Sequence, residues 1–320
     1  MAQPKPDVLA ALDHILAAAD TRPSPWRSRT DADDAESEYV PDYRLLHELL
    51  AVPIKQGAAQ SQQSGRVAKS LDAYVAHELR RAGFPEEAVF PRPYQPRVVP
   101  HELREVELNI QAVLKELADF EAKSGGRLKP ASLRAAIARL ARSMPGAADA
   151  NILGRFYAKQ VDVVVSDWRR GPDVLVSGKS QFSSYLNNKN NRYEEAIGEA
   201  RNLRDRYPLA AMGYAYIVRD NVFDGGAFEL LRDLLVRLRK PDGPFDATML
   251  LVAEWDDDTL ELLRVSDPTP TLALPRFFEN LLNAVMTYTP VDVHSEVRAR
   301  KRSGPPLGGY PPEAAPGSAR

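Results

Sequence analysis

The chain has 320 residues, 44% hydrophobic and 27% charged, enough to bury a sizeable core in one large domain or two small ones. It has no cysteine, which excludes disulfide frameworks, thiolate zinc sites and cysteine nucleophiles and fits a reducing interior. Its formal net charge of −2 is weak evidence against nucleic-acid binding, because a cleft can concentrate positive potential while the remaining surface stays acidic. The opening MAQPKPDVLAALDHILAAAD has too short and interrupted an apolar run for a secretory signal, and no stretch is long enough to span a bilayer. The expectation is a cytoplasmic bacterial protein.

Residues 1 to about 60 read as two short helices around a polar loop. His14 and Leu16 lie in the first, and Tyr43 to Leu50 form the second. Thr21 to Asp42, between them, is rich in Pro, Asp and Ser, the composition of a mobile loop. Glutamine-rich Gln56 to Ser64 leads into a helix where Val67, Leu71, Tyr74, Val75 and Leu79 recur at helical spacing, capped by Ser64 and stopped by Gly83. The loop FPRPYQPRVVP has too many prolines for a central strand. Two helices follow, near Glu102 to Glu121 and Pro130 to Arg142, and read as an insertion at about 100–145.

From Ile152 onward the pattern changes. RFYAKQVDVVVSDW is rich in β-branched residues and alternates as one strand; WRRGPD is a turn, and DVLVSGKSQF is a second strand, antiparallel to the first. Asn187, Asn188, Asn190 and Asn191 form a polar loop before the helix NNRYEEAIGEARNLRDRYP. Strand AAMGYAYIVR, helix FELLRDLLVRLR, strands DATMLLVAEW and LELLRV and helix LPRFFENLLNAVMTYT complete the order. The predicted division is an N-terminal helical segment with a mobile loop at 1–63, a core at 64–292, and a basic, Pro/Gly-rich disordered tail at 293–320. The fold class is α/β, a mixed sheet flanked by helices.

One constellation stands out chemically. Side chains in a strand repeat every second residue, so Asp162 in QVDVVV faces away from Val161, Val163 and Val165, while Leu175, Ser177 and Lys179 share one face of VLVSGKS. A hairpin through Arg169 to Gly171 places Asp162 beside Ser177 and Lys179. An isolated Asp in such an apolar strand is costly if buried unpaired, and so is a strand lysine. A shared, wet, metal-bearing site explains both. Phosphodiester cleavage calls for that set: one or two carboxylates to hold a divalent ion, and a lysine at the attacking water.

Asp162, fourteen residues, then Ser177-Gly178-Lys179 resembles the D…(D/E)xK motif of the PD-(D/E)xK nuclease superfamily. The helix GRVAKSLDAYVAHELRRAGF resembles the first core helix of that fold, with Asp72 at the position of its acidic residue. The likeness covers roughly residues 64–84 and 152–255. Ser177 departs from it by standing where the family usually has an acid. One group of type II restriction enzymes, including readers of CCGG-containing sites, is similar in carrying SxK here and supplying a glutamate from the next helix. Glu194 and Glu195, fifteen and sixteen residues beyond Lys179, match that spacing, Glu195 the better candidate.

The resemblance implies a restriction-endonuclease-like sheet with N-terminal and inserted helical segments, catalytic Asp162, Lys179, Glu195, Glu194 and Asp72, and Mg²⁺ on Asp162 and Glu195. It implies double-stranded DNA as substrate, a homodimer, and a cognate DNA methyltransferase. Lys189, Arg192, Asn188 and Asn190 are the candidate DNA contacts, since Arg suits guanine edges and Asn adenine.

Plainer readings stand beside these. Asp162 can start a strand and face solvent, Lys179 can be an exposed strand lysine, and Glu194, Glu195 and Asp72 can be solvated helix acids. The basic residues around 189–206 can serve i,i+4 pairs, and the Asn cluster can simply turn the chain. Ser177 has no neighbouring His to make it a nucleophile. The five histidines are scattered without zinc spacing, no Walker sequence is present, and AEWDDDTLE reads as a solvated turn. Three functions remain open: a sequence-specific type II restriction enzyme, a catalytically silent DNA-binding relative marked by Ser177, and a repair or mobile-element nuclease.

Overall fold

Two strands, AMGYAYIVR and ATMLLVAEW, are apolar on both faces, the pattern of strands covered by helices on either side. They are the centre of the sheet in the computed structural model, which describes residues 8–28, 37–59, 65–99, 101–125, 131–143, 149–167, 170–241 and 243–303. In chain order the elements are α1 (Asp13–Ala18), β1 (Trp26–Ser28), β2 (Ser37–Tyr39), α2 (Tyr43–Lys55), α3 (Gly65–Arg81), β3 (Val89–Phe90), α4 (His101–Lys123) and α5 (Ala131–Ser143). They continue with β4 (Ala150–Leu153), β5 (Ala158–Val161), β6 (Val163–Asp167), β7 (Gly171–Gln181), α6 (Tyr185–Arg204), β8 (Ala211–Arg219) and α7 (Ala227–Leu238). Last come β9 (Ala247–Trp255), β10 (Leu262–Ser266), α8 (Leu274–Tyr288) and α9 (Ser295–Arg302).

The main sheet has six strands in the order β10-β9-β8-β7-β6-β3. β7, β8 and β9 run parallel, joined by the crossover helices α6 and α7, while β6, β3 and β10 pair antiparallel. The chain is therefore mixed α/β, with helices on both faces of a mixed sheet. The proline-rich stretch contributes only the two-residue edge strand β3.

Each face has its own core. Leu46 and Leu49 of α2, Leu71 and Val75 of α3, and Phe277 and Leu281 of α8 pack on Val163, Val176, Ala215 and Leu251. Opposite, Ala196 and Ala200 of α6 and Leu231 and Leu235 of α7 pack on Val164, Leu175, Tyr214 and Leu250. Full burial of each Leu or Phe contributes about 1.5–3 kcal/mol, so these stripes, not helix propensity, hold α3 and α8 in place. α2 is started by Asp42, whose side chain accepts from Leu45 N at 2.9 Å, and α3 is stopped at Gly83, with φ of 109°.

The structure differs from the sequence reading in four places. The stretch from Arg155 is not one strand: β5 belongs to a small sheet with β4, β6 belongs to the main sheet, and the ladder breaks at Asp162. The asparagine cluster is not a loop but the first turns of α6, which begins at Tyr185. The segment read as mobile contributes a two-stranded ladder, with Trp26 and Tyr39 in the first core, while residues 29–36 lie outside the described residues. The segment read as a disordered tail begins with α9, whose Val297 is buried and whose Arg300 donates to Thr21 O and Arg81 O at 2.9 and 2.7 Å. Helices and strands with little local signal form where tertiary partners supply the burial. Ser64 and Arg169 lie outside the described residues, as do 304–320. No described helix is long and apolar enough to cross a membrane.

Candidate functional site

Asp162 sits where two sheets meet. The β4–β5 hairpin ends at Val161 and the main-sheet strand β6 begins at Val163, so the residue between them bends out of both ladders. Its Oδ2 accepts from the backbone N–H of Gly178 at 3.0 Å, and its Oδ1 accepts from Lys69 Nζ at 2.9 Å. The register continues Val163↔Val176, which brings Asp162 alongside Ser177 and Gly178 of β7.

Lys69 gathers two more carboxylates around the same ammonium. Asp72, one turn later on α3, places Oδ2 at 3.3 Å, and Asp149, at the mouth of the β4–β5 hairpin, places Oδ1 at 3.4 Å. Ala150 pairs with Val161, so Asp149 and Asp162 flank the open end of the hairpin. Asp72 is 2% exposed and is no solvated helix acid. Burial first, then the nearby Asp162 carboxylate, push its carboxyl up to about 8, against the opposing pull of Lys69 and Lys179. Burial opposes the charge on Lys69, but Asp72, Asp162 and Asp149 outweigh it and hold the ammonium well above the usual lysine range.

Lys179 faces the other helix layer. It lies on the same face of β7 as Leu175 and Ser177, towards α6, with Glu195 Oε1 at 3.4 Å and Glu199 Oε2 at 3.9 Å. Arg192 Nη1 donates to Glu195 Oε2 at 2.8 Å, and Lys159 of β5 donates to Glu199 Oε1. Glu195 is half-buried; burial raises its carboxyl, but Lys179 and Arg192 prevail and hold it below the usual range. Glu199 is buried and its Oε2 receives no hydrogen bond; burial outweighs its two lysines and raises its carboxyl.

The anticipated single pocket is thus two adjoining charge clusters on either side of β7, meeting at Gly178. Asp162, Asp72, Asp149 and Lys69 form one; Lys179, Glu195, Glu199, Lys159 and Arg192 form the other. Asp162 and Lys179 do not pair directly; the backbone of Gly178 lies between them. Glu194 points outward on α6 and Asn190 is exposed, whereas Arg192 is engaged with Glu195. The side chains of Asn188 and Lys189 lie outside what the structure describes. Ser177 is buried.

Sequence reasoning missed Lys69, Asp149, Lys159 and Glu199. A signal existed for two of them. ANILGRFYAKQV alternates around a Gly-containing turn, and as a hairpin it places Asp149 across from Asp162 and Lys159 on the inner strand. Among the described residues no set of three or more His, Asp or Glu side chains stands ready to hold a metal ion. No protein-family model, curated protein or solved structure matches this chain.

Proposed function

We propose that the chain is a divalent-cation-dependent endodeoxyribonuclease acting on double-stranded DNA, with a restriction-endonuclease-like core and the character of a sequence-specific type II restriction enzyme. The observation that carries the reading is the approach of Asp162 and Lys179, from neighbouring strands, to the two sides of Gly178, with Glu195 against the lysine. The donors nearby are carboxylate oxygens, the hard ligands that Mg²⁺ takes, and the buried Asp72 Oδ2 and Glu199 Oε2 still lack hydrogen bonds. The donor type suits the ion, but Asp162 and Glu195, the expected holders, lie in separate clusters on the two sides of β7 and do not form one ready site.

The chain's own groups supply the rest of the chemistry. The Lys179 ammonium, set against Glu195 and Glu199, orients a water and stabilises negative charge developing on the phosphate. The Gly178 N–H fixes one oxygen of Asp162, and Lys69 holds the other. Arg192, bonded to Glu195, lies where a phosphate backbone would compete for it. Symmetric cutting calls for a homodimer, and a methyltransferase protecting the same sequence belongs with such an enzyme.

Supercoiled plasmid incubated with Mg²⁺ tests the reading. Discrete bands that vanish in Asp162→Ala and Lys179→Ala support it, while a smear indicates a repair or mobile-element nuclease without sequence choice. Ser177 in place of an acid, and the division of the acids into two clusters, favour a second reading, a catalytically silent DNA-binding protein. Retarded duplex mobility with intact plasmid identifies that case.

A further inference from the structure

The helices α4 and α5 stand outside both cores. Among the described residues, neither contributes a side chain to the packing on either face of the sheet. They lie against each other, and at the root of α4 the buried Arg92 donates through Nη1 to Glu107 Oε1 at 2.6 Å. The 23 residues of α4 make a helix about 35 Å long, at about 1.5 Å per residue. Two paired helices share one seam, and Ile110, Leu114 and Leu117 of α4 with Ile137 of α5 are its buried and half-buried residues.

A second apolar row runs beside that seam and is exposed. Val106, Val113 and Phe120 follow one another at seven-residue spacing on α4, as do Leu133 and Leu140 on α5, and all five are 42–53% exposed. Single apolar residues are ordinary on a surface. A row that repeats every seven residues on two adjoining helices is different, because that period keeps one helix in contact with another along its length. With the two helices antiparallel, helical geometry sets both rows on the same side of the seam, where they form one face.

The charges indicate what covers that face. α4 carries six acids against Arg104, Lys115 and Lys123, whereas α5 carries three arginines and no acid. A hairpin with one acidic and one basic helix is complementary to a copy of itself. A two-fold axis lays α4 of one copy on α5 of the other, and the reverse contact follows by symmetry. The same pairing is present within one copy, where Arg134 Nη2 lies 3.2 Å from Glu121 Oε2.

We propose that the α4–α5 hairpin is a dimerisation arm, its apolar face buried against the same face of a second copy in a four-helix bundle, with α4 of each over α5 of the other. The proposal requires no DNA cleavage, and it goes beyond the nuclease reading by naming the surface through which two copies pair.

Sedimentation velocity of the full chain over a concentration series, with no DNA present, is the test, and the wild type is expected to be a dimer. Val113→Glu with Leu133→Glu, both at exposed positions, should weaken dimerisation at least about 100-fold, the effect of losing two apolar anchors, with far-UV circular dichroism unchanged. A wild type that stays monomeric throughout, or a dimer that survives this pair, overturns the proposal. Charge reversal tests the occupant. Glu116→Lys with Asp119→Lys makes α4 basic, and Arg139→Glu with Arg142→Glu makes α5 acidic. Each variant alone is expected to be monomeric and an equimolar mixture dimeric; a mixture that stays monomeric overturns the pairing of α4 with α5 across copies. Dimerisation and cleavage fail separately. A dimer that cuts no plasmid keeps the arm and removes the nuclease reading. A plasmid-cutting chain whose dimer survives Val113→Glu with Leu133→Glu does the reverse.

Discussion

The carboxylate of Asp72 occupies the space that a side chain at Gly178 would need: a Cβ added there would overlap Asp72 Oδ1 and lie 3.1 Å from its Cγ. The glycine is required for room, not for an unusual backbone angle. Gly178→Ala should destabilise the fold by about 1–3 kcal/mol, the usual cost of overpacking. Asp72→Ala in the same chain should recover most of that loss, giving a large coupling energy in a double-mutant cycle followed by urea unfolding. Additive effects would mean the two residues do not compete for this space.

His77 makes acid stability depend on α3. Burial, then the charges of Arg81 and Arg80, depress its imidazole to about 4, and its Nε2 receives no hydrogen bond. Between about pH 6.5 and 4 the unfolded chain therefore binds the proton that the folded chain refuses, so stability falls as pH drops through this window. The full loss is about 3 kcal/mol, at about 1.4 kcal/mol per tenfold change. His77→Gln should flatten that part of the stability–pH curve, whatever it does to stability at neutral pH. Urea midpoints at pH 7, 5.5 and 4 measure the difference in slope.

Glu194 and Glu195 are adjacent in sequence but face different surroundings. Glu195 meets Lys179 and Arg192, whereas Glu194 faces solvent. If the nuclease proposal holds, Glu195→Ala should lower the plasmid cleavage rate by at least about 100-fold, the scale of losing a metal-holding or electrostatic group, with a far smaller loss for Glu194→Ala. Unfolding midpoints should barely move for either, because surface ion pairs contribute about 0–1 kcal/mol. Equal loss of cleavage in the two variants would remove the special role of Glu195.

Asp246 anchors the far end of the sheet. Its side chain is 3% exposed and accepts from Arg204 Nη2 at 2.7 Å, Tyr288 Oη at 2.6 Å and the Met212 N–H at 2.8 Å, with Lys240 Nζ at 2.8 Å. Burial raises its carboxyl, but Lys240, Tyr288, Arg204 and Met212 prevail and lower it. It therefore adds stability above its unfolded pKa that is lost as pH falls through the folded one. Asp246→Asn should cost about 3–5 kcal/mol by leaving Arg204 and Lys240 without their anion. The loss should be clear at pH 7 and should shrink towards pH 3. A loss of equal size at both would assign the effect to packing.

Much of the architecture is written in local pattern. Apolar, β-branched runs mark β6 to β9, helical spacing marks α3, α7 and α8, and prolines confine β3 to an edge. Those signals are short-range: the strand and helix periods depend only on neighbouring residues and on which of them avoid water. Alternation places Asp162 on one strand face beside Ser177 and Lys179, but the ladder breaks at Asp162, which meets the Gly178 N–H while Lys179 turns to α6.

What tertiary structure alone decided is the company each charge keeps. Nothing local distinguishes Asp72 from a solvated helix acid; it is buried because α3 lies across β7 where Gly178 leaves a gap. Asp149 and Lys69 are 80 residues apart in sequence and meet only because the β4–β5 hairpin folds back beside α3. The helix α9 and the Trp26–Tyr39 ladder likewise form against partners far along the chain. Charge interactions fall with distance in space, not in sequence, so the balance of three aspartates against one lysine could be read only once the chain was folded.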